Sequence, residues 1–403
     1  MNLSVIHGLR AGILAILTLS YSEKLVAQSS DCSSQWTWFS QKPGDEGAFP
    51  DTQVSYYRYT FKINEGRPIR LKVSGRFPNG RYMGYNIYNT ALMDSLAGIA
   101  DHEIRPDDGS ENPYVSGAWS DQQSYTLLFD PLKQVISQGS TLTSPGNDGQ
   151  STGAREIWYR IYDPKDGPGS PGSVTLPKIE SVDAVTGALT TCPESLQIPV
   201  PKAPQGIGQV ANLPPGQDEN NRIHFVHHKG LGLYANRDTH YVAARLKLRG
   251  AAEDIAIIKF HAPRSPRSMG DLNNPELLDV RYWSFCVGSA LSTTTIHCLT
   301  DKDARLDGKG DVTIVIAATQ PKKMPEDAHF IERPRGIIPI MIYRNLLPRE
   351  GFVGDLRSIP YWEAGWPGRN TDEFSAERHI GNYAPVGRVC SVEEFTASGC
   401  QIH

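Results

Sequence analysis

Five blocks of alternating apolar residues recur in one order along the two halves of this chain. "QVSYYRYTFKI" at 53–63 is matched by "RDTHYVAARLKL" at 237–248, which sets Tyr57 against Tyr241 at an offset of 184. "IRLKVSGRFP" is matched by "IAIIKFHAP", "NGRYMGYNIYN" by "VRYWSFCVGS", "SYTLLF" by "DVTIVI", and "IWYRIYDP" by "IMIYRNLLP". The offsets stay between 184 and 187, except at the Arg-Tyr phrase, where Arg81 and Arg281 stand 200 apart. The insertion "RSPRSMGDLNNPELL" at 264–278 accounts for that jump. Chance is a poor rival to five ordered blocks, so an internal duplication is expected.

Each block has the chemistry of a strand. β-Branched and aromatic residues alternate with polar ones, and breakers such as "PDDGSENP", "SPGNDGQSTG" and "DGPGSPGS" stand between the blocks. The 37 glycines and 29 prolines in 403 residues supply the turns that such a chain needs. Almost no segment carries the 3.6-residue period of a helix, although short helices are expected around Ser375–His379 and Ser391–Thr396. The expected class is therefore all-β, with internally duplicated tandem antiparallel β-sandwich halves of jelly-roll-like type. The divisions are a leader at 1–27, a first sandwich at 28–198, a Pro/Gly-rich linker at 199–221, a second sandwich at 222–389 and a disulfide-closed tail at 390–403.

Strand alternation puts Tyr82, Gly84 and Asn86 on one face and Met83, Tyr85 and Ile87 on the other. In the second half Tyr282, Ser284 and Cys286 share a face, against Trp283, Phe285 and Val287. One aromatic set of each pair is expected to fill a core, with the preceding arginine at the strand edge.

Arg10, the apolar run Ala11–Leu19 and the small residues after it fit a secretory leader, cleaved between Ser22 and Gln28. Nine apolar residues are too few to span a bilayer, and no later segment is long and apolar enough to do so. Six cysteines follow, and an even set in an exported chain reads as disulfides. Proximity favours Cys286–Cys298 across a hairpin and Cys390–Cys400 at the C-terminus, leaving Cys32–Cys192. No Cys-x-x-Cys spacing offers a metal or redox motif. A net charge of −4 with interspersed signs offers no stripe for nucleic acid.

At these residues the chain resembles bacterial exported proteins of unknown function, families 1254 and 1214. "YANRDTHYVAARLKL" resembles their N-x-D-T-x-Y strand opening, and "RYWSFCVGS" their R-Y/F-W-S strand. "WYRIYDPKDGPGSPGSVTLP" resembles the closing segment of the later family. The matching residues are Asn236, Asp238, Thr239, Tyr241, Arg281, Tyr282 and Trp283. The C-terminal-type segment lies in the first half here, an order reversed from the families. The resemblance implies an exported β-sandwich protein and no particular activity.

Two function classes follow from the residues. The first is an exported enzyme acting on a small organic or sugar-like substrate, in a cleft between the halves. Asp238, His240 and His297 are its catalytic candidates, with Asp238 or His240 as base. Arg281, Tyr343, Arg344 and Trp283 would bind substrate, the arginines holding an anion or developing negative charge. The second class is a non-catalytic secreted protein that binds a small molecule or glycan, or assembles at a surface. No metal is assigned. A divalent ion would draw on His224, His227 and His228, of which alternation puts His224 and His228 on one face, yet no carboxylate stands at a ligand-like spacing. "CLTDKDARLDGKGDV" fails the calcium-loop template because Arg305 occupies a ligand position, and its Asp307-Gly308 reads as a turn. No hydrolase elbow, zinc-protease, phosphate-loop or dinucleotide motif is present. Cofactor content and oligomeric state stay open.

Overall fold

The computed structural model describes residues 30–38, 47–63, 69–90, 95–130, 134–137, 140–141, 153–196, 218–228, 234–246, 254–290, 292–333, 338–362 and 371–402. The expected leader and residues 199–217 of the expected linker lie outside them. The first half contains β1 (Thr37–Trp38), β2 (Val54–Ile63), β3 (Ile69–Arg76), β4 (Tyr82–Asn89), β5 (Ser95–Ala100), β6 (Ser124–Asp130), β7 (Gln134–Ser137), β8 (Ser140–Thr141), β9 (Gly153–Tyr162) and β10 (Lys178–Asp183). The second contains β11 (Arg222–His224), β12 (His227–His228), β13 (Thr239–Arg245), β14 (Asp254–His261), β15 (Tyr282–Ser289), β16 (Thr295–Thr300), β17 (Asp311–Ala317), β18 (His329–Glu332), β19 (Pro339–Leu346), β20 (Tyr361–Trp362) and β21 (Val386–Ser391).

These strands form two sandwiches. In the first, the sheet β1-β2-β9-β4-β5 faces β10-β3-β6-β7-β8 across a core that includes Tyr59, Phe61, Val73, Tyr85, Leu127, Tyr159 and Ile179. In the second, β13-β19-β15-β16 faces β11-β21-β14-β17-β18 across Val242, Ile258, Phe260, Phe285, Ile314 and Tyr343. The order β2-β9-β4-β5 is matched step by step by β13-β19-β15-β16, and β10-β3-β6 by β21-β14-β17. Among the described residues, pairing is antiparallel apart from two parallel contacts, β17 with β18 and β12 with β20.

Ladder register revises one detail of the sequence comparison. Tyr56, not Tyr57, stands opposite Arg160, as Tyr241 stands opposite Arg344. The equivalent of Tyr241 is therefore Tyr56. The linear alignment falls one residue away because "SYYRY" offers three tyrosines to align.

Burial separates inner from outer sheets. β3 and β6 alternate buried and half-buried, as strands with one wetted face do. β4, β15 and β19 are buried at all eight positions. Both faces of these strands are covered because the two inner sheets pack against each other. The cluster that joins them contains Tyr56, Tyr82, Tyr88, Trp158 and Tyr162 from the first sandwich and Tyr282 and Leu346 from the second.

The outer face of the last sheet is covered too. A short helix, Ala376–Ile380, and a C-terminal one, Val392–Ser398, lie close to the expected places. Phe395 of the latter packs on Ile255, Ile257 and Val315, beside the Cys390–Cys400 disulfide. Cys390 belongs to β21, so the expected tail begins inside the sheet. Cys286–Cys298, expected from proximity, and Cys32–Cys192, expected by elimination, are also formed. Among the described residues no helix is long and apolar enough to cross a membrane.

Candidate functional site

The seam between the inner sheets is built from reciprocal pairs. Tyr82 on β4 donates its hydroxyl to Asp238 Oδ2 at 2.7 Å, and Tyr282 on β15 donates to Asp51 Oδ2 at 3.0 Å. Ser284 adds a second donor to Asp51 at 2.6 Å. The arginines before those tyrosines cross in the same way. Arg81 reaches Asp301 at 2.7 Å and Arg281 reaches Asp101 at 3.2 Å, each aspartate following the last strand of the opposite inner sheet.

The arginines on the central strands behave alike. Arg160 donates to Asn86 Oδ1 at 2.8 Å and to the carbonyl of Tyr234 at 2.7 Å. Arg344 donates to Cys286 Sγ and to the carbonyl of Phe49, both at 2.6 Å. The two carbonyls belong to residues with left-handed backbone, φ 50° at Phe49 and 52° at Tyr234. Bulky side chains seldom adopt that region, so the same uncommon turn precedes the first inner strand of each sandwich. Arg160 also lies over the Tyr56 ring at 5.8 Å, and Arg344 over Tyr241 at 5.7 Å.

Desolvation dominates the electrostatics here. Burial pushes the Asp238 carboxyl above its ordinary range, offset in part by the Tyr82 hydrogen bond and by Arg237. Burial likewise raises Asp301, against the pull of Arg81. Both aspartates are committed to structural partners across the seam.

The residues expected to form a catalytic cleft are dispersed by this arrangement. Thr239 and Tyr241 face the seam, so β13 turns His240 to its other side, toward the turn at Leu356–Ser358. Burial, with Arg357 nearby, depresses His240 to about 4, too low for an efficient base at neutral pH. His297 is exposed on the edge strand β16 and shares the face of its partner Val287, opposite that of the Cys286–Cys298 bridge. Trp283 and Tyr343 are core residues of the second sandwich, 1% and 0% exposed, and cannot meet a ligand at the seam. Arg281, Arg344 and Asp238 do lie in the seam, each engaged as described.

The histidine cluster also separates. β11 carries His224 into the outer sheet, whereas His227 and His228 pair with Tyr361 and Trp362 on β20. A break between the two short strands defeats the alternation expected of "HFVHH". His224 is held from opposite ring nitrogens by Asp218 at 3.4 Å and Glu377 at 3.3 Å. His227 Nδ1 meets the Ile359 carbonyl at 3.0 Å. Ligand atoms of Asp51, Cys286 and Cys298 lie within 4.8 Å of one another, but both sulfurs are spent in a disulfide.

What the seam does open is a pocket at its rim, with a volume of about 300 Å³. Asn79, Gly80 and Arg81 enter from the first sandwich, with Asp163 and Lys165 from the loop after β9. Arg267, Ser268 and Leu272 come from the 264–278 insertion, and Lys302 follows β16. The insertion forms a clasp. Asp279 closes its base by accepting from Arg264 Nε at 3.0 Å and Nη2 at 2.8 Å, while Leu272 buries into the core of the first sandwich. Asp271 Oδ2 fixes the tip through the N–H groups of Arg267 and Ser268, at 2.7 and 2.8 Å. No histidine–carboxylate spacing marks these residues, and the linear trace of Arg267, Ser268 and Leu272 is the one large jump in offset between the halves, which is this insertion. A second cavity, about 530 Å³, lies by β11 and β21 and mixes Asp218 and Glu219 with Arg222 and Arg388.

No protein-family model matches the chain, and no curated protein matches it. Solved structures do. An uncharacterized protein from Burkholderia cenocepacia is similar over 89% of this chain and 81% of its own, with 14% identity and a TM-score of 0.50. A protein from Vibrio parahaemolyticus aligns over 75% of this chain and 87% of its own, at 11% identity and a TM-score of 0.39. The first likeness is one of fold: this chain is an all-β protein of antiparallel sandwich sheets, similar in fold to the Burkholderia structure.

Proposed function

We propose that this chain is an exported, non-catalytic binding protein that holds a small molecule in the pocket at the seam. The observation that carries the reading is the pocket's construction, since both sandwiches and the clasp contribute walls. Sites at such junctions are favoured for small ligands, and about 300 Å³ is the lower end of their usual range. Export is supported by the three disulfides and by the leader-like start. Matched strand order and reciprocal seam pairs support descent from one duplicated sandwich.

The enzyme reading has less support. A general base must reach the proton it takes, and among the described residues neither His240 nor His297 is hydrogen-bonded to Asp238. Filling the pocket tests the binding reading. Ser268 lines it from the exposed side of the clasp, so S268W should abolish ligand-induced thermal shifts seen with the wild-type protein in a small-molecule panel. Shifts that persist in S268W would place binding elsewhere and overturn the reading.

A further inference from the structure

The pocket's charges are unequal, and the inequality bears on what it holds. Arg81, Lys165, Arg267 and Lys302 line it against one lining carboxylate, Asp163. Asp163 is shared, accepting from Arg81 Nη2 at 3.3 Å and from the Lys302 ammonium. Asp301, buried at 1% exposure, takes Arg81 Nη1 at 2.7 Å. Two carboxylates thus serve two cations.

The other two cations have no carboxylate at ion-pair distance among the described residues. Arg267 gives Nη1 to the Asp301 carbonyl at 2.9 Å, a neutral partner. Lys165 is exposed, and its bond to Asn79 is made by the backbone N–H alone. Counting Asp271 of the clasp as a third carboxylate still leaves the cations in excess, and its Oδ2 is already turned onto the backbone of Arg267 and Ser268.

Arg81 is the fixed member of this set. Its side chain is 7% exposed, its N–H is bonded to the Tyr162 carbonyl at 2.8 Å, and two carboxylates orient the guanidinium. A planar cation held in one geometry loses little freedom when it meets an oxyanion.

We propose that the ligand carries a carboxylate, phosphate or sulfate oxyanion, drawn in by Lys165 and Arg267 at the mouth and met by Arg81 within. Its body is of monosaccharide size or smaller, because the pocket offers about 300 Å³. This rests on the reading of the pocket as a binding site and names the ligand class that the site takes.

Isothermal titration with glucuronate, glucose 6-phosphate and glucose tests it on the wild-type protein and on K165E, R267E, S268W and the exposed surface control K309E. At least one of the two acids should bind, and glucose should not. Which acid binds more tightly separates a carboxylate from a phosphate preference. K165E and R267E should each weaken binding at least tenfold, K309E should leave it unchanged, and added salt should weaken it. Equal binding of glucose, no binding of either acid, or full affinity in both charge-reversed variants would overturn the inference. Loss in S268W with full affinity in K165E and R267E would leave the pocket standing and remove the oxyanion.

Discussion

Tyr82 of the first sandwich donates a 2.7 Å hydrogen bond to Asp238 of the second, and the same contact runs backwards from Tyr282 to Asp51. Hydrogen bonds to buried carboxylates contribute about 1.5–3 kcal/mol each. Y82F and Y282F should therefore each destabilise the protein by about that much. The measurement is urea unfolding at neutral pH. A loss in one variant and none in the other would contradict the equivalence of the two pairs.

The arginine pairs make a stronger demand. Arg81 and Asp301 are 7% and 1% exposed, so removing the cation strands a buried carboxylate. R81A should cost about 3–5 kcal/mol, and R81M/D301N distinctly less, because the double change leaves no unpaired charge. A double-mutant cycle with no coupling would show that the pair does not act across the seam.

His224 gives the protein a dependence on pH. The Glu377 hydrogen bond, working against burial, raises the His224 imidazole above its ordinary value. Burial pushes Glu377 and Asp218 up, yet their bonds to His224, and for Asp218 also the Arg222 N–H, hold both below the usual carboxylate range. A raised histidine stabilises below about 6.5 and loses that contribution as pH climbs through its folded value. Lowered carboxylates stabilise above about 4 and lose theirs as pH falls. The cluster is thus most effective between those limits. H224Q should flatten the loss of stability on the alkaline side, read as urea midpoints at pH 5.5, 7 and 8.5. Parallel curves for variant and wild type would contradict the assignment.

All six cysteines are paired, so thiol titration in denaturant should find none before reduction and six after it. Peptide mapping should recover Cys32–Cys192 within the first sandwich and the other two bridges within the second. A bridge between the sandwiches would contradict the fold.

Period-two alternation and breaker spacing made the strands legible, and the order of the blocks made the matched strand orders legible. Two disulfides follow from proximity, and Cys32–Cys192 from the elimination that this leaves. Which face of each inner strand meets solvent was not legible, because β4 and β15 are covered on both sides and no local pattern distinguishes a core from a seam. Aromatic chemistry suits a core as well as a binding site, and the core is where Trp283 and Tyr343 lie. Asp238 and Arg281 lie in the seam, each tied to the opposite sandwich. The pocket depends on charges from Arg81 to Lys302 that meet only after folding, and the insertion at 264–278 was its one linear trace.

The most direct measurement is a crystal structure of the protein grown with a saturating concentration of whichever acid, glucuronate or glucose 6-phosphate, binds more tightly. Density for that ligand is expected in the seam pocket, with its anionic group between Arg81, Lys165 and Arg267. An empty pocket, or ligand bound only on another surface, would contradict that placement.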